Sequence, residues 1–341
     1  MFRRRQELFA LARRFRTVAI HTFIYDAKGA DEEVQGIIPL PSELRDDQLL
    51  WIDVEGSSGE DFAEIGSAFG ITPKMFERVV DLKRDALLDN YTNSFAFAID
   101  APGDFRSNTR REGVQLGMIV GTRWLITVHR EPVRYLSDFR AQDKGETDIG
   151  KLSPALLAAS LLDWHLTQYF EEVSEIEAET DQLDAAILAD GTQREILGKI
   201  VDVRLRVSKL RAQLSSQRAI FYGFLRPDFA LNFDRAALGP FERLVSRYER
   251  AIDEVERTRD VVVGSFDLYT SITTQQTNDL VKVLTFLTAV IGFCAAVAGL
   301  LGMNFKLPLF ESGMIGFEIV IAGLAAFGIA SFIVAKWRKW V

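Results

Sequence analysis

Gly302, Met303 and Asn304 sit where a long uncharged run of the 341-residue chain comes to its end. An apolar helix leaving a membrane has no need of an amide there, whereas an amide oxygen can accept hydrogen bonds from the water shell of a cation. Stepping back from Gly302 by threes and fours gives Gly299, Ala295, Gly292, Thr288, Leu284, Val281 and Asn278, all on one helical face. Asp267 lies on or near the same face further back. In lipid, a face of small residues is used for close helix packing. Polar groups at both ends of such a face are also what an ion path requires. Periodicity alone leaves both readings open.

Ligand chemistry narrows the ion. His21, His129 and His165 are scattered without ligand spacing, and Cys294 is the single cysteine. A soft four-ligand site of the zinc-finger kind is therefore absent from the sequence, as is a disulfide framework within one chain. Carboxylates, amides, hydroxyls and backbone carbonyls remain. They suit hard cations, and Mg²⁺ in particular keeps its waters and is held through them. Asn304 and Asp267 are the candidate cation-contacting residues. No nucleophile–base pair, phosphate loop or hydrolase metal spacing points to an enzyme, and "GSSG" at 56–59 reads as a loop. No resident cofactor and no nucleic-acid partner are expected.

The elements that must position these residues begin with two apolar runs. Residues 283–305 carry no charge over 23 positions, about 34 Å as a helix and enough to cross a bilayer. Residues 319–335 add 17 more after Glu318. Lys282 precedes the first run, and Lys336, Arg338 and Lys339 follow the second, with Trp337 and Trp340 beside them. The loop between the runs holds Lys306 against Glu311. The positive-inside bias thus expects both termini in the cytosol. The leader "MFRRRQELFALARRFR" is basic but lacks the apolar core of a secretory signal.

Residues 1–150 read as mixed α/β. Strands are expected at 17–26, 49–55, 94–100, 113–121 and 123–130, the last two joined as a hairpin at Gly121 and Thr122, with helices at 59–70 and 72–80. Residues 151–278 read as long helices. No Lys or Arg occurs from 152 to 193, whereas 194–218 holds seven bases against Glu195 and Asp202. This predicts an antiparallel hairpin with one acidic and one basic arm, broken at Gly191 and Thr192. A third helix is expected to run unbroken over 241–301, with Phe241, Tyr248, Val255, Val262 and Tyr269 at seven-residue spacing. Such a repeat makes a left-handed bundle, and the expectation is that further copies of the chain supply it as a cyclic homo-oligomer. Residues 279–341 form the membrane part.

These features resemble the CorA family of divalent-cation channels, which includes the ZntB branch. Gly302-Met303-Asn304 matches its Gly-Met-Asn signature, and "TNDLVKVLT" at 277–285 looks like the start of its first membrane helix. Asp267 and Tyr269 fall where the family has Asp and a nearby Tyr, and "KWRKW" resembles its basic tail. The resemblance implies an α/β/α sandwich feeding a long stalk, and a funnel-shaped homopentamer in the inner membrane with five stalk helices lining the pore. It implies Asn304 as the outer selectivity ring, Asn278 and Leu284 as the inner constriction, and Asp267 at the cytosolic mouth. The cargo implied is Mg²⁺ with Co²⁺ and Ni²⁺, or Zn²⁺ for the ZntB branch. A membrane-anchored sensor without conduction is the reading from another class.

Some residues depart from the family pattern. Gly292 stands where a bulky apolar residue is usual, Ala295 where Thr is, Leu301 where Tyr is, and Lys306 where an acid is. Arg78 and Arg243 are the counterparts of a regulatory carboxylate pair between subunits. They would exclude Mg²⁺ from that contact, leaving Arg78 to pair with a neighbour's carboxylate unless Asp81 or Asp85 rebuilds the site.

Overall fold

The computed structural model describes residues 19–28, 31–34, 38–56, 65–80, 88–102, 114–142, 148–190, 194–230, 235–303 and 313–338. The basic leader, Asp81, Asp85, Asn304, Lys306, Glu311 and Trp340 lie outside them. Contacts divide the chain into two units, Met1–Asp181 with Ile200–Val263, and Gln182–Lys199 with Gly264–Val341.

In the first unit, β1 (Ala19–Asp26), β2 (Glu32–Val34), β3 (Gln48–Glu55), β4 (Asp89–Asn90), β5 (Phe95–Ala101), β6 (Val114–Val120) and β7 (Trp124–His129) form one sheet. Its order is β2-β1-β3-β7-β6-β5-β4. Only the central pair, β3 and β7, is parallel. The hairpin expected at Gly121 and Thr122 joins β6 to β7, closed by Gly121 N–H donating to the Trp124 carbonyl at 2.8 Å. β2 and β4 were not foreseen. They are edge strands of three and two residues, too short and polar for a period-two pattern to register.

Helices cover both faces of the sheet. A short helix at 65–69, α1, stops at Gly70, whose φ of 69° is open to glycine at little cost. α2 (Pro73–Val80) follows, and Met75 and Val79 pack on Ile52, Val54 and Ile126 of the central strands. A Cβ at Gly117 would lie 2.0 Å from a Val79 methyl, so α2 rests directly on the β6 backbone. On the other face α3 (Arg134–Gln142) sets Phe139 edge-on to Trp51, and α4 (Pro154–Asp190) sets Trp164 edge-on to Phe139.

This second face hides an ionic cluster. Asp53 of β3 is fully buried. It accepts from Thr127 Oγ1 at 2.5 Å and Arg140 at 2.9 Å, and lies 3.0 Å from His129 Nε2. Trp51 Nε1 donates to Thr127 at 3.1 Å. Burial alone would raise the Asp53 pKa, but the His129 contact, then Thr127 and Arg140, hold it below the ordinary 3.8. Burial alone would lower that of His129, but the Asp53 carboxylate lifts it above the ordinary 6.5.

α5 (Arg194–Ser216), α6 (Arg218–Gly223), α7 (Pro227–Ala230) and α8 (Arg235–Leu301) follow in chain order. The acid–base hairpin forms, with Arg206 carrying charge contacts between its arms, 2.6 Å from Glu179 and 3.8 Å from Glu172. The seven-residue repeat of α8 is filled by the chain itself. Phe241, Leu244, Tyr248, Ala251, Val255, Thr258 and Val262 are all buried. Tyr248 stacks on Phe221 at 4.3 Å and donates to the Leu214 carbonyl at 2.8 Å, while Thr258 donates to Glu177 at 2.9 Å. From Phe241 to Val262 the seam is thus covered within the chain and does not itself call for further copies, whereas Tyr269 is half-buried. Pro240 sits inside α8 rather than before it, as its sixth residue, where it forgoes a single backbone bond of the early helix.

The ionic cluster fixes a pH profile. Asp53 contributes stability that is full above pH 3.8 and is lost as pH falls through its lower folded value. His129 contributes stability that is full below pH 6.5 and is lost as pH rises through its raised folded value. The unfolding temperature of the full-length protein in detergent is expected to decline as pH rises beyond 6.5. In His129→Gln this alkaline decline should be absent. Identical alkaline limbs in the two proteins would exclude the assignment.

Candidate functional site

In the second unit α8 continues to Leu301, and α9 (Met314–Trp337) returns beside it. Both are long and apolar enough to cross a membrane. Along α8 the half-buried positions are Val283, Phe286, Val290, Cys294, Val297 and Leu301. On α9 the more buried ones are Gly316, Val320, Leu324, Gly328, Ser331 and Ala335, again at steps of three and four. Phe293 and Phe327 meet between the helices with ring centres 4.3 Å apart. Near the Gly302 end the helices leave a cavity of about 340 Å³ lined by Leu301, Gly316, Phe317 and Leu324.

The stripe read from the sequence lies on the opposite side of α8. Asp267, Asn278, Val281, Leu284, Thr288, Gly292, Ala295, Gly299 and Gly302 are all exposed. Val281 is 54% and Leu284 65% exposed, large apolar side chains with nothing of their own chain over them. A Cβ built at Gly292 or Gly299 meets nothing within 4 Å. These glycines therefore serve no packing inside the chain, although each costs roughly 1 kcal/mol of helix propensity against Ala. Gly302 N–H donates to the Ala298 carbonyl and Met303 N–H to that of Leu300, and there the helix ends. Asn304 falls in the segment outside the described residues.

Hydroxyl groups punctuate the helix. Thr270, Thr273, Thr274 and Thr277 each donate to the carbonyl four residues back at 2.8–3.0 Å, as do Thr285 and Thr288 at 2.8 Å. The sequence reading singled out Thr288 but passed over the others, whose shared signal was their spacing. It also missed the fate of Arg78. That side chain pairs within its own chain, 2.7 Å from Asp89 of β4. Arg243 is exposed. Among the described residues no group of three or more His, Cys, Asp or Glu is placed to hold a metal.

A sheet domain, a long helix and two apolar C-terminal helices define a membrane protein of the two-span class. The sequence profile of the CorA-like Mg²⁺ transporter protein family matches residues 46–337, and the chain belongs to that family of divalent-cation transporters. It is 23% identical over 314 residues to the cobalt/magnesium transport protein CorA of Thermotoga maritima, covering 91% of this chain and 87% of that one. Among solved structures it is similar to the complete CorA magnesium transporter of Methanocaldococcus jannaschii, with TM-score 0.76 and 19% identity over 94% of this chain and 98% of that one. The cytoplasmic domain of ZntB from Vibrio parahaemolyticus superposes with TM-score 0.57 and 11% identity, over 77% of this chain and 99% of that one. These likenesses give the fold.

Gly292→Ala separates the two uses of a small face. With open space around position 292, Ala should leave the unfolding temperature unchanged or raise it, by up to about 1 kcal/mol of stability. Gly117→Ala, which drives a methyl into Val79, should lower it. A loss of stability in Gly292→Ala comparable to that of Gly117→Ala would mean that another helix packs on the stripe.

Proposed function

We propose that the chain assembles as a homopentamer in the inner membrane and conducts divalent cations, Mg²⁺ foremost, along a pore lined by the α8 stripe. The observation that carries this reading is the exposed stripe itself, turned away from α9 and set with glycines that the chain's own packing does not require. Lys282 before the first span, and Lys336 and Arg338 at the end of the second, support a cytosolic placing of both termini.

The pathway works in three zones. Asp267 and Asn278 offer oxygens at the cytosolic mouth and raise the local cation concentration. Val281 and Leu284 form an apolar collar that holds back water and ions until it widens. From Thr288 outwards the face is small and leaves room for an ion with its waters. At the outer end the carbonyl terminus of α8 points its negative dipole end at the mouth, where Gly302, Met303 and Asn304 form the selectivity ring. Asn304 amide oxygens accept from the water shell, so the ion is selected without being stripped. The cobalt/magnesium transport function named for the Thermotoga relative supports Mg²⁺ and Co²⁺ as cargo, and the family resemblance adds Ni²⁺.

Zn²⁺ transport, as in ZntB-like proteins, is the second reading. The commitment of Arg78 to Asp89 favours it, because a guanidinium stands where the Mg²⁺ channels hold regulatory carboxylates. Uptake of Mg²⁺, Co²⁺ and Zn²⁺ into liposomes by the purified protein decides between them, and uptake of none would leave a membrane-anchored sensor.

Asn304→Ala is expected to abolish selective divalent uptake in these liposomes while the oligomer stays intact. Wild-type uptake by an intact Asn304→Ala oligomer would sink the assignment of the outer ring. Limited proteolysis in detergent should give the same fragments with and without millimolar Mg²⁺, since the Arg78–Asp89 pair already neutralises that surface. Protection by Mg²⁺ that disappears in Asp81→Ala or Asp85→Ala would show a working regulatory site.

A further inference from the structure

With its cytosolic repeat consumed inside the chain, α8 leaves the question of which other helical surface joins the copies. The outer sides of α4 and α5 in the first unit carry a matched pair of seams. On α5, Val201, Leu205, Ser208, Ala212 and Ser215 follow steps of four and three, and every one is exposed. Val201 is 45% and Leu205 55% exposed, one helical turn apart. On α4, Glu171, Ser174, Ala178 and Asp181 follow steps of three and four, and these are exposed as well. The α5 seam has the small and aliphatic surface that lets helices approach closely at a spacing of 3.5 residues, and the α4 seam sets small Ser174 and Ala178 between two acids.

Their charges are opposite. Arg204 and Lys209 flank the α5 seam, exposed and without an ion pair among the described residues. Glu171 and Asp181 lie in the α4 seam, and neither makes an ion pair among the described residues. The hairpin's own charge contacts fall to Arg206 on the inner side. Neither set makes an ion pair among the described residues, and a second copy offers the complement of each.

We propose that the outward face of α5 docks on the outward face of α4 of a second copy, small side chains interlocking along the seam and Arg204 and Lys209 meeting Glu171 and Asp181. The contact is head-to-tail: each chain offers its α5 to one neighbour and its α4 to the other. Such a heterologous contact builds a closed ring when the rotation closes. It does not depend on what the assembly conducts.

The test uses full-length protein with Cys294→Ser, co-expressed as two differently tagged copies. One copy carries Ala178→Cys and the other Leu205→Cys, and a short bis-maleimide is added in detergent. A covalent product bearing both tags is expected from this mixed pair, severalfold more than from copies that share either cysteine. Arg204→Glu with Lys209→Glu should reduce it severalfold, and Glu171→Lys with Asp181→Lys on the other copy should restore it. High salt should weaken it in the wild-type charge background. Tags that co-purify without the mixed product overturn this contact while leaving an oligomer in place. A product indifferent to charge reversal, or greatest between like cysteines, overturns it too. Tags that fail to co-purify overturn both this contact and the assembly.

Discussion

Hydrocarbon offers no partner to a backbone amide, and most of what is distinctive in this chain follows from that constraint. A segment that enters a bilayer must close its hydrogen bonds along itself, so the crossing from 283 onward has to be helical. Its side chains are then sorted by rotation alone. One side of α8 takes Val283, Phe286 and Val290 against α9. The other side is left with Asn278, Thr288 and the glycines, residues that lipid would not favour. A polar face that its own chain does not cover and that lipid should not touch requires a third environment. The family's transport function supplies one, and the pore reading rests on that logic.

The parallel pair β3 and β7 sets the other fixed point. Asp53 is charged and without exposure, a costly arrangement unless its oxygens are fully engaged. Thr127, His129 and Arg140 engage them from β7 and α3. Removing one partner would leave an uncompensated charge in the centre of the sheet, so the cluster pins α3 to the strands. The sequence hides this because Asp53 and Thr127 are 74 residues apart and only the register of the sheet brings them together. His129 read alone looked like one of three scattered histidines.

Elements with a strong repeat were legible. The five longer strands, the β6–β7 hairpin, the acid–base hairpin and the long helix all carry patterns of two or of seven that tertiary packing respected. α3, α6 and α7 carry none, being short or polar, and they emerged only in the folded chain. The misreading of Phe241 to Val262 is instructive. A seam states that a partner exists and is silent on whose chain it belongs to. Here α4, α5 and α6 supplied it. The stripe from Asn278 to Gly302 was legible as a face, and its exposure was not, since exposure depends on where α9 lies.

The threonines of α8 have a chemical polarity of their own. Each hydroxyl has one hydrogen, and in Thr274, Thr277 and Thr288 that hydrogen is already spent on a carbonyl of the preceding turn. What remains facing outward is lone pairs. Such a surface can receive hydrogen bonds and cannot give them. Water bound to a divalent cation turns its oxygen inward and its hydrogens outward, so it is a donor to such a surface. An anion's hydration shell presents the reverse orientation and finds no donor among these hydroxyls. On the proposed pathway the back-bonded threonines therefore suit the hydration shell of a cation and not that of an anion.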